Sequence, residues 1–401
     1  MSGSPLPLEG IRVIDAATVV AGPGVTARLG DFGADVIKVE HPAIGDPVRS
    51  MGWEADGATL WSKWLGRNKR PITLDLSHPK GQAVLLRLVE TADVLVESFR
   101  PGTLEKWNLG PTRLLDANPR LVLLRVSGFG QTGPYRRRPG FGTLAESMSG
   151  YAQMTGFPEG PPVLPPIALA DEVSALLGAF AVMVALYARG ARGAPGQVID
   201  LSLIESLFQI TGPFPALYEK LGVVPGRIGN RIAYAAPRGT YPTKDGRWVG
   251  VSGTSQAIAE RVFAAIERPE LAADARFSTN AARVANVDDL DEAIEAWTSR
   301  HTVDEVLEAF ELHDAAAAPV YDIAEIAADA QYAARRTIVH VPDEGSERPF
   351  PMADVQPRLS ATPGRIRHAG RAKGAANQEV LVGELGLSAE ELIALSDEGV
   401  V

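Results

Sequence analysis

Short apolar segments alternate with helical patterns along the first 130 residues of the chain. We predict strands in this part at residues 11–16, 35–40, 72–76, 93–97 and 121–126. Helices are predicted between them at residues 22–32, 77–91 and 101–107. Apolar strands that alternate with helices are typical of a parallel sheet covered on both faces. The predicted fold class is therefore α/β.

The longest apolar segment, residues 173–188, contains no charge and no proline, and it predicts a helix. Because it is apolar on nearly every side, we expect it to be buried inside a large domain. A membrane span needs about 20 such residues, so we do not expect one here. Asp171 and Glu172 come directly before this segment, where free backbone N–H groups favour a carboxylate. From this pattern alone, Asp171 is either an ordinary helix cap or a functional carboxylate.

The rest of the chain divides into loops and a second region of mixed structure. Residues 127–170 are rich in Gly and Pro, and loops of this length are usually functional. Beyond them we predict a strand at 197–201, a helix to about 221, a strand at 248–252, helices at 256–266, 287–298 and 303–313, a strand–helix pair from 315, and a last helix near 378–385. We therefore expect a large domain at 1–224, a small α+β domain at 225–325, and a C-terminal part at 326–401.

The amino-acid composition excludes several functions, whereas it restricts the fold less. The net charge of −10 and the pI near 5.3 argue against nucleic acid or an anionic membrane as the main partner. The absence of cysteine excludes disulfides, thiolate metal sites and a cysteine nucleophile. The chain contains no G-x-S-x-G motif, so a serine hydrolase has no support. The histidines are dispersed, so no metal site is expected. The first thirty residues lack a signal-peptide pattern, and we expect a cytoplasmic protein.

Two local patterns suggest nucleotide-like ligands. Residues 22–27 fit G-x-G-x-x-A with Glu40 as a ribose-binding acid, but the first glycine lies six residues beyond the strand, too far for the tight turn of a dinucleotide site. Basic residues also cluster near predicted strands, at Arg67, Lys69 and Arg70, at Arg100 and Lys106, and at Arg136, Arg137 and Arg138. These clusters are either solvated surface cations or a polyphosphate site, where Arg can make bidentate contacts.

Several long motifs occur in order along the chain. They include VVAGPGVTARLGDFGADVIKVEHPAIGDPVR, GRNKRPITLDL, DVLVESFRPGTLEKWNLG, VSGFGQTGPYRRRPGF, IALADEVSALLGA and the terminal ELGLSAEELIALSDEGVV. With these motifs the chain resembles the class III coenzyme A transferases, the formyl-CoA and carnitine-CoA transferase (CaiB/BaiF) type, over nearly its whole length. The resemblance implies a Rossmann-like large domain formed by both chain ends, a smaller α+β domain, and an interlocked homodimer.

The resemblance also implies a set of site residues, with Asp171 as the catalytic nucleophile. The implied coenzyme A contacts are Val20, Ala21, His41, Leu74, Asp75, Ser77, Ser98, Phe99, Arg100, Lys106, Phe141 and Gly142. The loop at residues 139–142 would face the thioester, and residues 252–254 would take the place of the family's mobile glycine loop. Gly142 stands where the family often has an acidic or aromatic residue, and Glu146 where it usually has glutamine.

The implied reaction moves coenzyme A from an acyl-CoA donor to a carboxylic acid acceptor. An unsolvated carboxylate held in line can attack a thioester carbonyl, so Asp171 would pass through a mixed anhydride and an aspartyl-CoA thioester. This chemistry requires no metal and no tightly bound cofactor, because coenzyme A is itself a substrate.

Three other functions are compatible with the same ligand. An acyl-CoA racemase of this family would use a histidine in the loop before Asp171, but that segment is Gly140-Phe141-Gly142, and no histidine lies between His78 and His301. An isomerase that moves CoA between two carboxylates of one acid would use the same aspartate chemistry. A non-catalytic CoA-binding protein would not need the complete motif around Asp171.

Overall fold

A computed structural model of the chain describes residues 6–401, and these divide into two units. The first unit comprises residues 6–151, 164–215 and 334–401, and the second comprises residues 152–163 and 216–333. The predicted domain limits at residues 225 and 326 stay a prediction, and residues 1–5 of the predicted first segment lie outside the described residues.

Between residues 6 and 209, strands and helices mostly alternate. The strands are β1 (Arg12–Asp15), β2 (Asp35–Glu40), β3 (Glu54–Ala55), β4 (Ala58–Thr59), β5 (Lys69–Thr73), β6 (Val94–Glu97), β7 (Val122–Ser127) and β8 (Gln197–Ser202). The helices are α1 (Ala21–Asp31), α2 (Leu60–Leu65), α3 (Pro79–Val89), α4 (Thr103–Lys106), α5 (Pro111–Ala117), α6 (Gly142–Met148), α7 (Tyr151–Met154), α8 (Leu169–Arg192) and α9 (Leu203–Gln209), with a 3-10 turn at Pro47–Ser50.

Six of these strands form one parallel sheet in the order β5-β2-β1-β6-β7-β8. Separate apolar clusters cover its two faces, one containing Ile14, Ile37 and Leu95 and the other Val13 and Val36. The α/β prediction with a parallel sheet is confirmed. The strand order is that of a doubly wound fold and reverses direction between β1 and β6, where such folds leave a crevice at the carboxyl ends of the strands.

Two predictions for this part were wrong in detail. Strand β5 begins at Lys69, three residues before the predicted start, because Lys69 and Arg70 already pair with β2; the buried Lys69 ammonium lies 2.7 Å from Asp15 Oδ2. The segment 127–170 is not all loop, since α6 and α7 form within it.

Helix α8 is longer and less buried than its sequence predicted. It spans 24 residues, and a stripe along one side is exposed in the single chain: Leu176 (57%), Phe180 (68%), Met183 (38%), Val184 (51%) and Tyr187 (65%). By length and composition alone it could cross a membrane, although a core helix meets the same criteria. Its opposite side packs into the unit through Ala175, Gly178 and Val182.

Helices α1 and α8 pack at very short distance because glycines line their contact. A Cβ added at Gly24 of α1 would lie 2.8 Å from the Ala175 Cβ, and one added at Gly178 of α8 would lie 2.7 Å from Val25. Real Cβ atoms do not approach so closely, so only glycine permits this crossing. The contact brings the N-terminal ends of the two helices together.

The second unit has an antiparallel sheet in the order β11-β10-β9. Its elements are α10 (Phe214–Leu221, which begins at the border), β9 (Arg238–Pro242), β10 (Trp248–Ser252), α11 (Gln256–Ala265), a 3-10 turn at Pro269–Ala273, α12 (Asn280–Ala285), α13 (Val287–Thr298), α14 (Val303–Leu312), β11 (Ala316–Pro319), α15 (Ile323–Ala328) and α16 (Ala330–Ala334). Gly212 and Pro213 separate α9 from α10, where a single helix was predicted.

The C-terminal part adds β12 (Ile338–Val341), β13 (Phe350–Ala353), a π-helical segment at Gln378–Glu384, and α17 (Ala389–Asp397). The last predicted helix corresponds to the π-helical segment, whereas α17 was not predicted. Ser388 and Glu391 form a capping box at the start of α17, and this S-x-x-E spacing is the sequence signal that could have found it.

Candidate functional site

The sequence-predicted site residues gather at the carboxyl ends of the parallel strands. Val20 and Ala21 follow β1, and Ser98 follows β6, on the two sides of the point where the strand order reverses. The two loops are joined directly, because the Thr18 N–H donates to Ser98 Oγ at 2.9 Å. This is the position at which doubly wound sheets bind their ligands.

Two further predicted contacts follow the neighbouring strands β2 and β5. His41 Nε2 lies 4.0 Å from Asp75 Oδ1. Burial acts to raise the pKa of Asp75, but the Ser77 hydroxyl and N–H, which donate to Oδ1 at 2.7 and 2.8 Å, hold the pKa below its usual value. Leu74 is buried in the core, so only its backbone is available to a ligand.

The loop after β6 presents an aromatic ring and two cations. The Phe99 ring packs edge-on against Trp107 at 5.0 Å between centroids. Arg100 and Lys106 are exposed, and neither forms an ion pair with another residue in the described range 6–401. Their charges are therefore free to meet an anionic ligand.

The basic cluster at Arg67, Lys69 and Arg70 is not a polyphosphate site, contrary to one expectation from the sequence. Arg67 pairs with Asp31 at 2.8 Å, Lys69 with Asp15, and Arg70 with Asp35 at 2.6 Å. These cations neutralise carboxylates inside the first unit. In the third basic cluster, Arg136–Arg138, the Arg138 guanidinium lies over the Tyr135 ring at 3.7 Å from its centroid.

Asp171 lies in the first turn of α8 and is not its cap. The cap is Ala168, which offers no side-chain acceptor. The Asp171 carboxylate lies against Gly142, the first residue of α6, so closely that a Cβ at position 142 would overlap Asp171 Oδ2. It also accepts a backbone hydrogen bond from Ala21, the first residue of α1. Helices α1, α6 and α8 thus meet at this carboxylate.

The surroundings of Asp171 favour its neutral form. Burial raises its pKa first, and the carboxylates of Glu146 and Glu172 raise it further; the backbone N–H groups of Asp171 and Ala21 oppose them, and the result is a pKa of about 6. A carboxylate that is this poorly solvated is ionised at neutral pH and retains much of its basicity, as a nucleophile requires.

Some residues near Asp171 were predicted from the sequence as site residues, and others were not. Gly142 is buried, as a contact to the carboxylate requires, whereas the predicted contact Phe141 is 63% exposed. No local pattern indicated the ion pair at 2.5 Å between Glu172 and Arg28 of α1, which holds the start of α8 against α1. A pair of residues 144 positions apart cannot be recognised from local spacing.

The glycines of the G-x-G-x-x-A segment serve helix packing. Five residues separate the end of β1 at Asp15 from the start of α1 at Ala21, so the tight turn of a dinucleotide site is absent. Gly22 lies against Ala17 and Gly24 against Ala175. Among residues 6–401, no group of three or more His, Asp or Glu side chains is placed to hold a metal ion.

Comparison with known proteins decides the family. The model of CoA-transferase family III matches residues 8–375 of this chain. The chain belongs to this family. It is therefore a CoA-transferase, an enzyme whose substrates are CoA thioesters and carboxylic acids.

Two of its relatives match over nearly their whole lengths. The chain is 44% identical over 401 residues to the succinyl-CoA–L-malate CoA-transferase beta subunit of Chloroflexus aurantiacus, covering 99% of this chain and 98% of that one. It is 41% identical over 400 residues, with the same coverage, to the succinyl-CoA–D-citramalate CoA-transferase of that organism. A crystal structure of a CaiB/BaiF family protein from Brucella suis matches with a TM-score of 0.83 and 31% identity, covering 95% of this chain and 100% of that one.

Gly142→Ala should abolish most CoA-transferase activity without unfolding the protein. The added Cβ would push aside the Asp171 carboxylate, which the resemblance to the family implies as the nucleophile, and a displacement of about 1 Å at a nucleophile would cost roughly a hundredfold in rate. The matched control is Gly190→Ala in α8, where a Cβ meets open space. Steady-state rates and thermal melting of both variants test this. A Gly142→Ala enzyme with the wild-type rate would contradict the contact.

Proposed function

We propose that this enzyme transfers coenzyme A from an acyl-CoA donor to a carboxylic acid acceptor through covalent intermediates on Asp171. The observation that carries the proposal is the position and state of Asp171: a mostly buried carboxylate with a raised pKa, at the joined N-terminal ends of α1 and α8. Ala21 lies next to Val20 and the loop after β1, at the point where the strand order reverses and the proposed CoA contacts begin.

In the first half of the reaction, the Asp171 carboxylate attacks the thioester carbonyl of the donor. The C–S bond breaks, which leaves an acyl-aspartyl anhydride and the CoA thiolate. The thiolate then attacks the aspartyl carbonyl and releases the donor acid as its carboxylate. Asp171 is now a neutral CoA thioester, and the negative charge has moved to the released acid.

The second half reverses these steps with a different acid. The acceptor carboxylate attacks the aspartyl thioester, which forms a second anhydride and releases the CoA thiolate. The thiolate attacks the acceptor carbonyl, so the products are acceptor-CoA and the free Asp171 carboxylate. No net proton is transferred in the cycle. The backbone N–H of Ala21, at the positive end of α1, can stabilise charge on the aspartyl oxygen.

The proposed CoA contacts lie along the carboxyl edge of the sheet in the first unit. We assign the 3′-phosphate to the unpaired cations Arg100 and Lys106, and the remaining contacts to the predicted residues of the four neighbouring loops and of α6: Val20, Ala21, His41, Leu74, Asp75, Ser77, Ser98, Phe99, Phe141 and Gly142. Residues 252–254, proposed as a mobile loop, belong to the second unit at the end of β10.

We propose succinyl-CoA as the donor and a hydroxylated dicarboxylic acid of the malate or citramalate type as the acceptor. Two full-length relatives carry these substrates in their names, and both exceed 40% identity to this chain. Transfer between two separate acids also distinguishes this proposal from the isomerase alternative, in which CoA moves within one acid.

Incubation of the enzyme with succinyl-CoA and labelled L-malate or D-citramalate should give labelled acyl-CoA. Asp171→Asn keeps the size of the side chain but removes the nucleophile, and we expect a loss of about a thousandfold or more with CoA affinity unchanged. Asp116→Asn, an exposed aspartate on α5, is the matched control.

Hydroxylamine attacks an aspartyl thioester and should convert Asp171 alone to the hydroxamate, as peptide mass spectrometry can determine. Modification of another carboxylate would refute the assignment of the nucleophile. Binding of CoA without label exchange for any acid would favour the non-catalytic alternative.

Arg100→Ala and Lys106→Ala should each weaken CoA binding by roughly tenfold, because a charged hydrogen bond to phosphate is lost. Affinity for dephospho-CoA, which lacks the 3′-phosphate, should not change. Arg113→Ala on α5 removes another exposed cation and is the control. Calorimetric titration with both ligands tests the assignment, and an equal loss for both would contradict it.

We further propose a homodimer of interlocked chains, with a Rossmann-like domain from both chain ends, a small domain at 225–325, and a cytoplasmic location. The support for association is the exposed apolar stripe of α8 described above, since apolar patches of this kind usually mark interaction sites. Light scattering of the purified protein should give about twice the chain mass of 42.6 kDa. A monomer at micromolar concentration would contradict this proposal.

A further inference from the structure

Glu146 is a buried carboxylate beside Asp171. It is 4% exposed and lies one helical turn after Gly142 in α6, so both residues face the start of α8. Within residues 6–401, no Lys, Arg or His forms an ion pair with it. A buried carboxylate without a cation is costly, and its position next to the reacting group requires an explanation.

The hydrogen bond of Glu146 explains the need for an oxygen but not for a charge. Glu146 Oε1 accepts from the backbone N–H of Ala170 at 3.3 Å. Helix α8 has no side-chain cap of its own, because Ala168 is the cap residue, so this oxygen satisfies one of its free N–H groups. A neutral amide oxygen could do the same.

The other charges around Asp171 leave that of Glu146 uncompensated. Glu172 is paired with Arg28 of α1, Glu205 of α9 is exposed, and the turn at residues 16–20 contains no charged residue. The unpaired charge that faces Asp171 therefore comes from α6.

We propose that Glu146 is a positioning residue whose negative charge destabilises the free Asp171 carboxylate relative to its neutral covalent intermediates. Formation of the aspartyl anhydride or thioester removes the charge from Asp171, so the repulsion disappears as the enzyme becomes acylated. Glu146 thereby favours the thioester over the resting carboxylate. This inference rests on the proposed role of Asp171 as the nucleophile.

The test uses Glu146→Gln, which keeps an oxygen for Ala170 and removes the charge. The acid limb of the kcat/KM profile reports ionisation of the free enzyme. In the wild type we expect this limb near pH 6, where burial and its acidic neighbours place the pKa of Asp171. In the variant, the limb should move to lower pH by roughly 0.5 to 1 unit, because the carboxylate becomes easier to ionise.

A second measurement follows the covalent state directly. At a fixed concentration of succinyl-CoA, the ratio of CoA-modified to free enzyme, measured by intact-protein mass spectrometry, should fall roughly three- to tenfold in Glu146→Gln. Glu90→Gln, the same change at an exposed position after α3, should leave both quantities unchanged.

Glu146→Asp separates the charge from the hydrogen bond. It keeps the charge and shortens the side chain, so we expect an acid limb close to that of the wild type and a lower melting temperature. If Glu146 only capped α8, Glu146→Gln would leave the limb unshifted, and this would overturn the inference even though hydroxylamine still marked Asp171. A hydroxylamine mark on another residue would instead refute the proposed function and this inference with it.

Discussion

The close crossing of helices α1 and α8 is the contact on which the site depends. Glycines at positions 24 and 178 let the two backbones approach to distances that any side chain would prevent. Because α1 follows the turn after β1, where the strand order reverses, this crossing joins the edge of the sheet to the start of α8. The Ala21 N–H can then reach the Asp171 carboxylate. The ion pair between Arg28 of α1 and Glu172 of α8 also holds these two helices together.

Two carboxylates of the first unit, one fully buried and one mostly buried, show how neighbouring charged groups set a pKa. Asp15 is fully buried, and burial acts to raise its pKa, but the ammonium groups of Lys38 and Lys69 and the Thr26 hydroxyl bring the pKa below its usual value. Asp171 has carboxylates for neighbours instead of cations, so burial prevails and its pKa rises to about 6. The first aspartate stays ionised between two cations, and the second keeps the reactivity that we propose it uses.

Cations in this chain divide in the same way. Arg67, Lys69 and Arg70 appeared equivalent to Arg100 and Lys106 in the sequence, since each group lies near a predicted strand. The first group belongs to β5 and the residues before it, where side chains point to carboxylates of neighbouring elements. The second group follows β6, at the open end of the sheet, and stays unpaired among the residues that the structure describes. In these two groups, the position of a cation relative to its strand decides whether the cation pairs with a carboxylate of the fold or stays available to a ligand.

The parallel sheet and the loops after its strands could be predicted from the sequence alone, because apolar periodicity and glycine and proline spacing are local properties of the chain. The family followed from ordered motifs, which also marked Asp171. Chain packing, by contrast, places Asp171 inside the first turn of α8 and brings Gly142 and Ala21 into contact with it. It also decided that Glu146 faces it without a cation, and that α8 leaves an apolar stripe exposed. These features join residues far apart in the chain, and solvation and charge at such contacts depend on the whole packing rather than on any local pattern.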